Sequence, residues 1–223
     1  MKFAWLPLLA LPVVAAPVTT GTANWQVSQT STSFAGYTGQ AAGTGFDNGL
    51  GTSTNAAVIL TDPIPTAFGW AAETGGSQWV GQLATDGNFS CAQGATCGAA
   101  PGTYTYTLTL ANILAGTLNF SFASDNAVTV RVLSNGNQVY NSGVQVGFAL
   151  TTPSAIAYSA GSLVIEAVVQ NGFSSGMNVR NPSGLLVIGS TTDAVSGVPE
   201  PSTYAMLGLG GVGLLVARMR RGK

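Results

Sequence analysis

The chain has few side chains that could carry out acid–base chemistry. It contains 8 Asp and Glu residues, 7 Lys and Arg residues and no histidine among 223 residues. Without imidazole, His-based triads and His-ligated metal sites are excluded. Glycoside hydrolysis needs two carboxylates that face one cleft, and a pair such as Glu73 and Asp125 leaves an envelope hydrolase open as an alternative. Turns favour Asp and Asn, so we expect no enzyme and assign no catalytic residue.

Oxygen-bearing side chains also raise the question of a bound cation. Asp86, Asn88, Asp125 and Asn126 are ligands of the type that Ca²⁺ prefers. Turn polarity explains the same residues more simply, so no metal site or cofactor is predicted and Ca²⁺ is kept as an alternative. The formal net charge of −1 provides no basic patch for phosphate groups. Nucleic acid is therefore excluded as a partner.

Aromatic side chains are the candidate sugar-binding groups. Trp70 and Trp79 are a candidate carbohydrate platform because both are expected at strand ends or in loops, as are Phe89 and Phe173. A platform requires an exposed ring with polar groups beside it, whereas Trp and Phe in a small sandwich mostly belong to the core. Both interpretations are retained.

The two cysteines, Cys91 and Cys97, lie in a Gly- and Ala-rich stretch with five residues between them. In an exported protein two such cysteines are expected to pair. A metal site would need further Cys or His ligands, which this chain lacks. The sequence therefore predicts a structural disulfide between them.

The C-terminal segment combines three features in a fixed order. A short motif comes first, formed by Pro199, Glu200 and Pro201. Its prolines keep it extended. Residues 202–217 carry no charge and predict a transmembrane helix of about 24 Å, short against a hydrocarbon core of about 30 Å. A basic anchor follows, formed by Arg218, Arg220 and Arg221. Such a cluster predicts that this end stays in the cytoplasm.

This tail, residues 198–223, closely resembles the PEP-CTERM protein-sorting domain of Gram-negative bacteria. The resemblance implies that an exosortase, a membrane-embedded transpeptidase-like enzyme, recognises the motif and removes the span. The chain would be held transiently in the inner membrane and then delivered to the cell surface or the exopolysaccharide matrix. An ordinary single-pass anchor that is never cleaved is the alternative.

The N-terminal segment has the pattern of an export signal, assigned to residues 1–15. Lys2 precedes 14 uncharged residues, 3–16, a stretch typical of a signal peptide and too short to span a bilayer. Small residues before Ala16 favour cleavage by signal peptidase after Ala15, and a cut after Ala23 is the alternative. A buried first strand or helix of the domain is the competing interpretation.

Between these segments the sequence predicts an all-β domain. Apolar residues alternate with Thr, Asn, Ser or Arg over 103–110, 118–122 and 128–132, which is the pattern of half-buried strands. Asn135-Gly136 predicts a tight hairpin turn, and the nearly continuous apolar stretch 163–169 predicts a strand buried on both faces. We therefore expect a β-sandwich or jelly roll over 56–190. Residues 16–55 are predicted to be a flexible Gly-, Thr- and Ser-rich region, and 191–197 a linker.

The order of several motifs in this body is similar to that of galactose-binding-like jelly rolls and carbohydrate-binding modules. The residues that carry the resemblance are Trp79, 102–106, 122–126, Asn135-Gly136, 161–165 and 181–185. The resemblance implies that fold and mostly marks turns rather than a sugar site. Three functions therefore follow as alternatives: a non-catalytic structural or interaction protein of the surface or biofilm matrix, a module that binds extracellular polysaccharide, and the envelope hydrolase.

Overall fold

The structure, a computed structural model, describes residues 15–31, 54–61, 69–84, 97–98, 102–172, 180–181 and 183–194. These residues form strands and turns, without a helix. The strands are β1 (Ala15–Pro17), β2 (Gln26–Ser31), β3 (Asn55–Ala56), β4 (Val58–Ile59), β5 (Val80–Gly81), β6 (Cys97–Gly98), β7 (Gly102–Ile113), β8 (Gly116–Asp125), β9 (Ala127–Ser134), β10 (Asn137–Val146), β11 (Ile156–Tyr158), β12 (Gly161–Asn171), β13 (Arg180–Asn181) and β14 (Gly184–Ala194).

Two six-stranded antiparallel sheets make up most of the fold. The first sheet has the order β11-β8-β14-β5-β4, with β1 paired to β14 as its sixth strand. The second sheet has the order β10-β9-β12-β7-β2-β3. A parallel pair, β6 with β13, stands apart from both. This arrangement confirms the predicted all-β class and is consistent with a β-sandwich, while the galactose-binding-like type remains a prediction.

The second sheet follows the period-two pattern of its sequence. Along β7, Tyr104, Tyr106 and Leu108 are buried while the threonines between them are only partly covered. Their side chains join a core that also receives Phe120 and Phe122 from β8 in the first sheet. Successive side chains of a strand point to opposite faces, so one face of each sheet supplies the core.

The turn between β9 and β10 confirms the predicted hairpin. Asn135 and Gly136 have φ angles of 50° and 78°, which is the left-handed conformation that a two-residue hairpin turn requires. The Asn135 side chain also ties this turn to the neighbouring one, because its Nδ2 donates to the Ala160 carbonyl at 2.8 Å and its Oδ1 accepts from the Ser162 amide at 2.8 Å.

The prediction that 163–169 is buried on both faces is wrong. In β12, Leu163, Ile165, Ala167 and Val169 are buried, and the residues between them are only partly covered. The alternate residues of this strand, on the outer side of the second sheet, therefore keep some contact with water. Valine there reflects the β-propensity of branched side chains on a pleated surface.

The structure also differs from the prediction of a flexible region that starts at residue 16. Residues 15–31 contribute β1 to the first sheet and β2 to the second, and Val18, Trp25 and Val27 are fully or almost fully buried. Residues 191–194 extend β14 rather than forming a linker. Composition predicted a loop here because Thr and Gly dominate, but tertiary pairing overrides that signal. Residues 32–53 lie outside the described residues.

No helix in the described part of the chain is long and apolar enough to cross a membrane. The predicted transmembrane helix 202–217 and the first 14 residues of the predicted signal peptide lie outside that part.

Candidate functional site

The chain enters and leaves the domain at the same place. Strand β1 pairs antiparallel with the end of β14, so that Ala15 lies opposite Ala194. Beyond β1, the amides of Val18 and Thr20 donate to the carbonyls of Gly189 and Val187 at 3.1 and 2.9 Å. Ala15, after which signal peptidase is predicted to cut, therefore lies beside Ala194, the last described residue before the tail.

Threonine hydroxyls reinforce this pairing. Thr19 Oγ1 donates to the Gly189 carbonyl and accepts from the Gly189 amide, both at 3.0 Å. Thr20 Oγ1 makes the same pair of bonds with Val187, at 3.2 and 3.0 Å. At the outer end the Ala16 amide donates to Thr191 Oγ1 at 3.0 Å. These hydroxyls satisfy buried backbone groups that would otherwise be costly to bury.

We call this side of the molecule the exit end. It is formed by the ends of β1 and β14 together with three turns, at Leu114–Ala115, Asn135–Gly136 and Ser159–Ala160. The Thr117 amide donates to Thr192 Oγ1 at 2.9 Å, which places the first of these turns beside the end of β14. Leu114 is 45% exposed there, and the three turns contain no charged residue.

A small apolar cluster covers the outer face of the first sheet, away from the main core. It consists of Leu60, Trp70, Trp79, Ala123 and Leu186. The ring centroids of Trp70 and Trp79 lie 4.2 Å apart, with an angle of 37° between the ring planes. The ring centroid of Phe148 lies 6.3 Å from that of Trp70. The Trp79 Nε1 donates to the Ala71 carbonyl at 3.0 Å. We call this set the outer cluster.

The outer cluster contradicts the expectation that Trp70 and Trp79 form a sugar platform. Trp70 is 4% exposed and Trp79 is fully buried. A sugar can stack only on an accessible ring face, so these indoles serve packing in this structure. Phe89 and Phe173 lie outside the described residues.

Asp125 is a buried carboxylate. It ends β8 beside the outer cluster, is 3% exposed and accepts hydrogen bonds from the side chains of Trp70 and Asn126. Its Oδ1 has no hydrogen-bond partner. Burial raises the pKa of Asp125 to about 7, and the two hydrogen bonds lower it in part. Such a group holds or releases a proton near neutral pH.

Two further carboxylates of the described residues, Glu73 and Glu166, have structural partners. Glu73 Oε1 accepts from the Trp79 amide at 2.9 Å, and Glu166 forms an ion pair with Arg131 across β12 and β9. The Asn126 Oδ1 of the Ca²⁺ alternative accepts from the Gly172 amide at 2.8 Å. Within the described ranges no group of three or more His, Cys, Asp or Glu could hold a metal ion. Asp86 and Asn88 lie outside them, so the Ca²⁺ alternative stays untested.

The remaining predicted sites lie wholly or partly outside the described residues. Cys97 begins β6, but Cys91 lies beyond the described residues, and no disulfide is found among the described residues. The pairing of the two cysteines therefore stays a prediction. The sorting motif at 199–201 and the basic anchor at 218–221 also lie outside them. The sequence analysis missed the burial of Asp125 and the role of Thr19, Thr20 and Thr191, because isolated polar residues carry no periodic signal.

Fold and termini together define an all-β domain whose last strand leads directly into a tail segment. Residues 197–221 match the family described as the PEP-CTERM protein-sorting motif. No curated protein matches the chain. The match confirms the predicted sorting tail and indicates an exported protein that is processed by an exosortase and anchored transiently in the membrane. It does not extend over the sandwich.

Proposed function

We propose that this chain is a structural or interaction protein of the bacterial cell surface or exopolysaccharide matrix, with a non-catalytic β-sandwich as its mature body. The observation that carries the proposal is the sorting motif at 197–221. In this proposal signal peptidase removes residues 1–15, and the exosortase recognises Pro199, Glu200 and Pro201 and removes the span that follows. The basic residues Arg218, Arg220 and Arg221 hold the tail end in the cytoplasm until then.

The carboxylates support the non-catalytic part of the proposal. Glu73 binds a backbone amide and Glu166 binds Arg131, so both already serve the fold. Asp125 is bonded to the Trp70 side chain and is 3% exposed. A hydrolase requires two carboxyl groups that reach one accessible cleft.

The sorting part is tested by replacing all three motif residues, Pro199, Glu200 and Pro201, with alanine in the full chain. The full-length form should then accumulate in the inner membrane, whereas the wild type appears in processed form at the surface or in the matrix. Immunoblots of cell fractions measure this. Release of the triple variant at the wild-type rate would refute the role of the motif.

The structural part is tested with processed protein recovered from cells. We expect it to co-fractionate with the surface or matrix and to show no saturable binding to single glycans on an array. Saturable binding to a defined glycan or to purified exopolysaccharide would favour the alternative, a carbohydrate-binding module. Hydrolysis of that polymer would favour the envelope hydrolase.

A further inference from the structure

The position of the sorting motif relative to the folded body limits where the exosortase can be. Strand β14 ends at Ala194, and the motif begins at Pro199, so only residues 195–198 separate them. A fully extended chain advances at most about 3.6 Å per residue, so Pro199 lies within about 18 Å of Ala194. The motif must occupy the active site of the exosortase while the folded domain is still attached.

The domain is longer than this tether. Strand β14 has 11 residues and spans about 33 Å from its first to its last residue at the usual rise per residue. Asp125 lies opposite Gly184, at the start of β14. The end of the sandwich that contains Asp125 is therefore well beyond the reach of the tether, and the exit end is the part of the body that meets the enzyme.

The chemistry of the exit end suits such a contact. Its three turns contain no charged residue, so a partner centred on these turns removes water from no ion there. The charged residue of the adjoining strand end is Asp193 in β14. Leu114 presents a half-exposed apolar side chain in the turn that lies beside the end of β14. Contacts of this kind form the centre of many protein interfaces, where charged residues are depleted.

We propose that the exit end is the docking surface for the exosortase, with Leu114 at its centre, and that the opposite end of the sandwich stays free. This inference rests on the proposed processing by an exosortase. It goes beyond the motif because it assigns part of the folded body to recognition. It also requires residues 16–20, which remain after the predicted signal-peptidase cut, to be paired with β14 when the exosortase acts, since they form one side of that surface.

The test compares two exposed apolar residues at opposite ends of the domain. Leu114→Glu introduces a charge at the exit end. Val146→Glu introduces the same charge at a residue that is 82% exposed and pairs with Ala127 at the other end. Pulse–chase labelling of full-length protein measures conversion to the processed form. We expect L114E to slow conversion about threefold or more, because a charge must be desolvated in the contact, and V146E to leave it unchanged.

A longer tether and a cross-linker complete the test. Eight Gly and Ser residues inserted between Ala194 and Val195 add a root-mean-square reach of about 16 Å and should restore the rate of L114E. A photo-cross-linking residue at position 114, and not at 146, should form an adduct with the exosortase identified by mass spectrometry. Equal rates for L114E and V146E, no rescue by the insertion, or adducts with lipid alone would each overturn the docking surface.

The Pro199, Glu200 and Pro201 alanine variant separates this inference from the proposed function. If that variant is processed like the wild type, processing at the motif itself is refuted. If it accumulates in full-length form but L114E behaves like V146E, the exosortase recognises the tail alone, and only the docking surface is lost. Equal thermal denaturation midpoints for the processed L114E and V146E proteins serve as the control for folding.

Discussion

The two sheets differ in how they are assembled and in what covers them. The second sheet is built mainly from long strands between residues 102 and 171, and its outer face is only partly covered. The first sheet joins the beginning of the described chain to its end through β1 and β14, and the outer cluster packs on its outer face. The second sheet is thus a regular scaffold, while the first contains the buried Asp125 and both ends of the described chain.

From this difference we expect substitutions in the two sheets to change the stability of the domain by different amounts. A side chain on the outer face of the second sheet has water beside it, so a change there alters few contacts. In the first sheet both faces of β14 are packed, because Leu185 and Val187 join the main core while Leu186 joins the outer cluster. We therefore expect the larger effects in the first sheet.

Gly189→Val should have the largest effect. A Cβ at this position would lie 2.3 Å from the Asn119 carbonyl oxygen and 2.6 Å from Phe120 Cβ, so β14 must shift away from β8. We expect the free energy of unfolding to fall by about 3 kcal/mol or more, measured by urea denaturation. Ser190→Val at the adjacent exposed residue is the matched control and should change it by less than about 0.5 kcal/mol. Similar values for both variants would contradict the close packing.

Asp125→Asn should stabilise the protein at neutral and alkaline pH. The folded-state pKa of Asp125 is raised to about 7 by burial, so its stabilising contribution is complete below the unfolded pKa of about 4 and is lost as pH rises toward 7. Asn stays uncharged and still accepts a hydrogen bond. At pH 8 we expect D125N to gain on the order of 3 kcal/mol, and the gain should shrink steadily toward pH 4.

Thermal denaturation of both proteins from pH 4 to pH 8 measures this effect. Glu166→Gln in the second sheet is the control, because Glu166 is only partly buried. If the difference in denaturation midpoint between D125N and the wild type does not vary with pH, the Asp125 carboxyl does not titrate in this range in the folded state.

Thr20→Val tests whether the N-terminal segment belongs to the domain. The substitution leaves the buried Val187 amide without its bond to Thr20 Oγ1, and an unsatisfied buried group costs about 1–3 kcal/mol. We expect a loss of that size in chemical denaturation. Thr129→Val, on the partly covered face of β9, should be nearly neutral. A neutral T20V would favour the flexible region that the sequence analysis predicted from residue 16.

Arg131→Ala should have the smallest effect. Its side chain is 43% exposed and that of Glu166 is 24% exposed, and ion pairs of this kind contribute about 0–1 kcal/mol because water screens them. A double-mutant cycle with Glu166→Gln isolates the pair energy. A coupling clearly above 1 kcal/mol would mean that the outer face of the second sheet is less accessible to water than its burial indicates.

Local patterns predicted the parts of the fold that depend on neighbours along the chain. The alternation of apolar and polar residues predicted β7, β8 and β9, and Asn135-Gly136 predicted the hairpin between β9 and β10. Both signals are properties of a few adjacent residues. The same patterns failed for residues 15–31 and for Trp70 and Trp79. Nothing near these residues in sequence reveals that β14, about 170 residues later, pairs with β1, or that the two indoles pack on each other.

The sequence by itself determined the all-β class and the sorting tail, and through that tail the export of the protein, because strand alternation and a sorting motif are both read from neighbouring residues. Only the tertiary structure decided that residues 16–20 pair with β14, that Asp125 is buried beside Trp70, and that Leu114 lies in a turn beside the end of β14. These facts depend on strand pairing and packing between distant residues, which composition and periodicity do not encode.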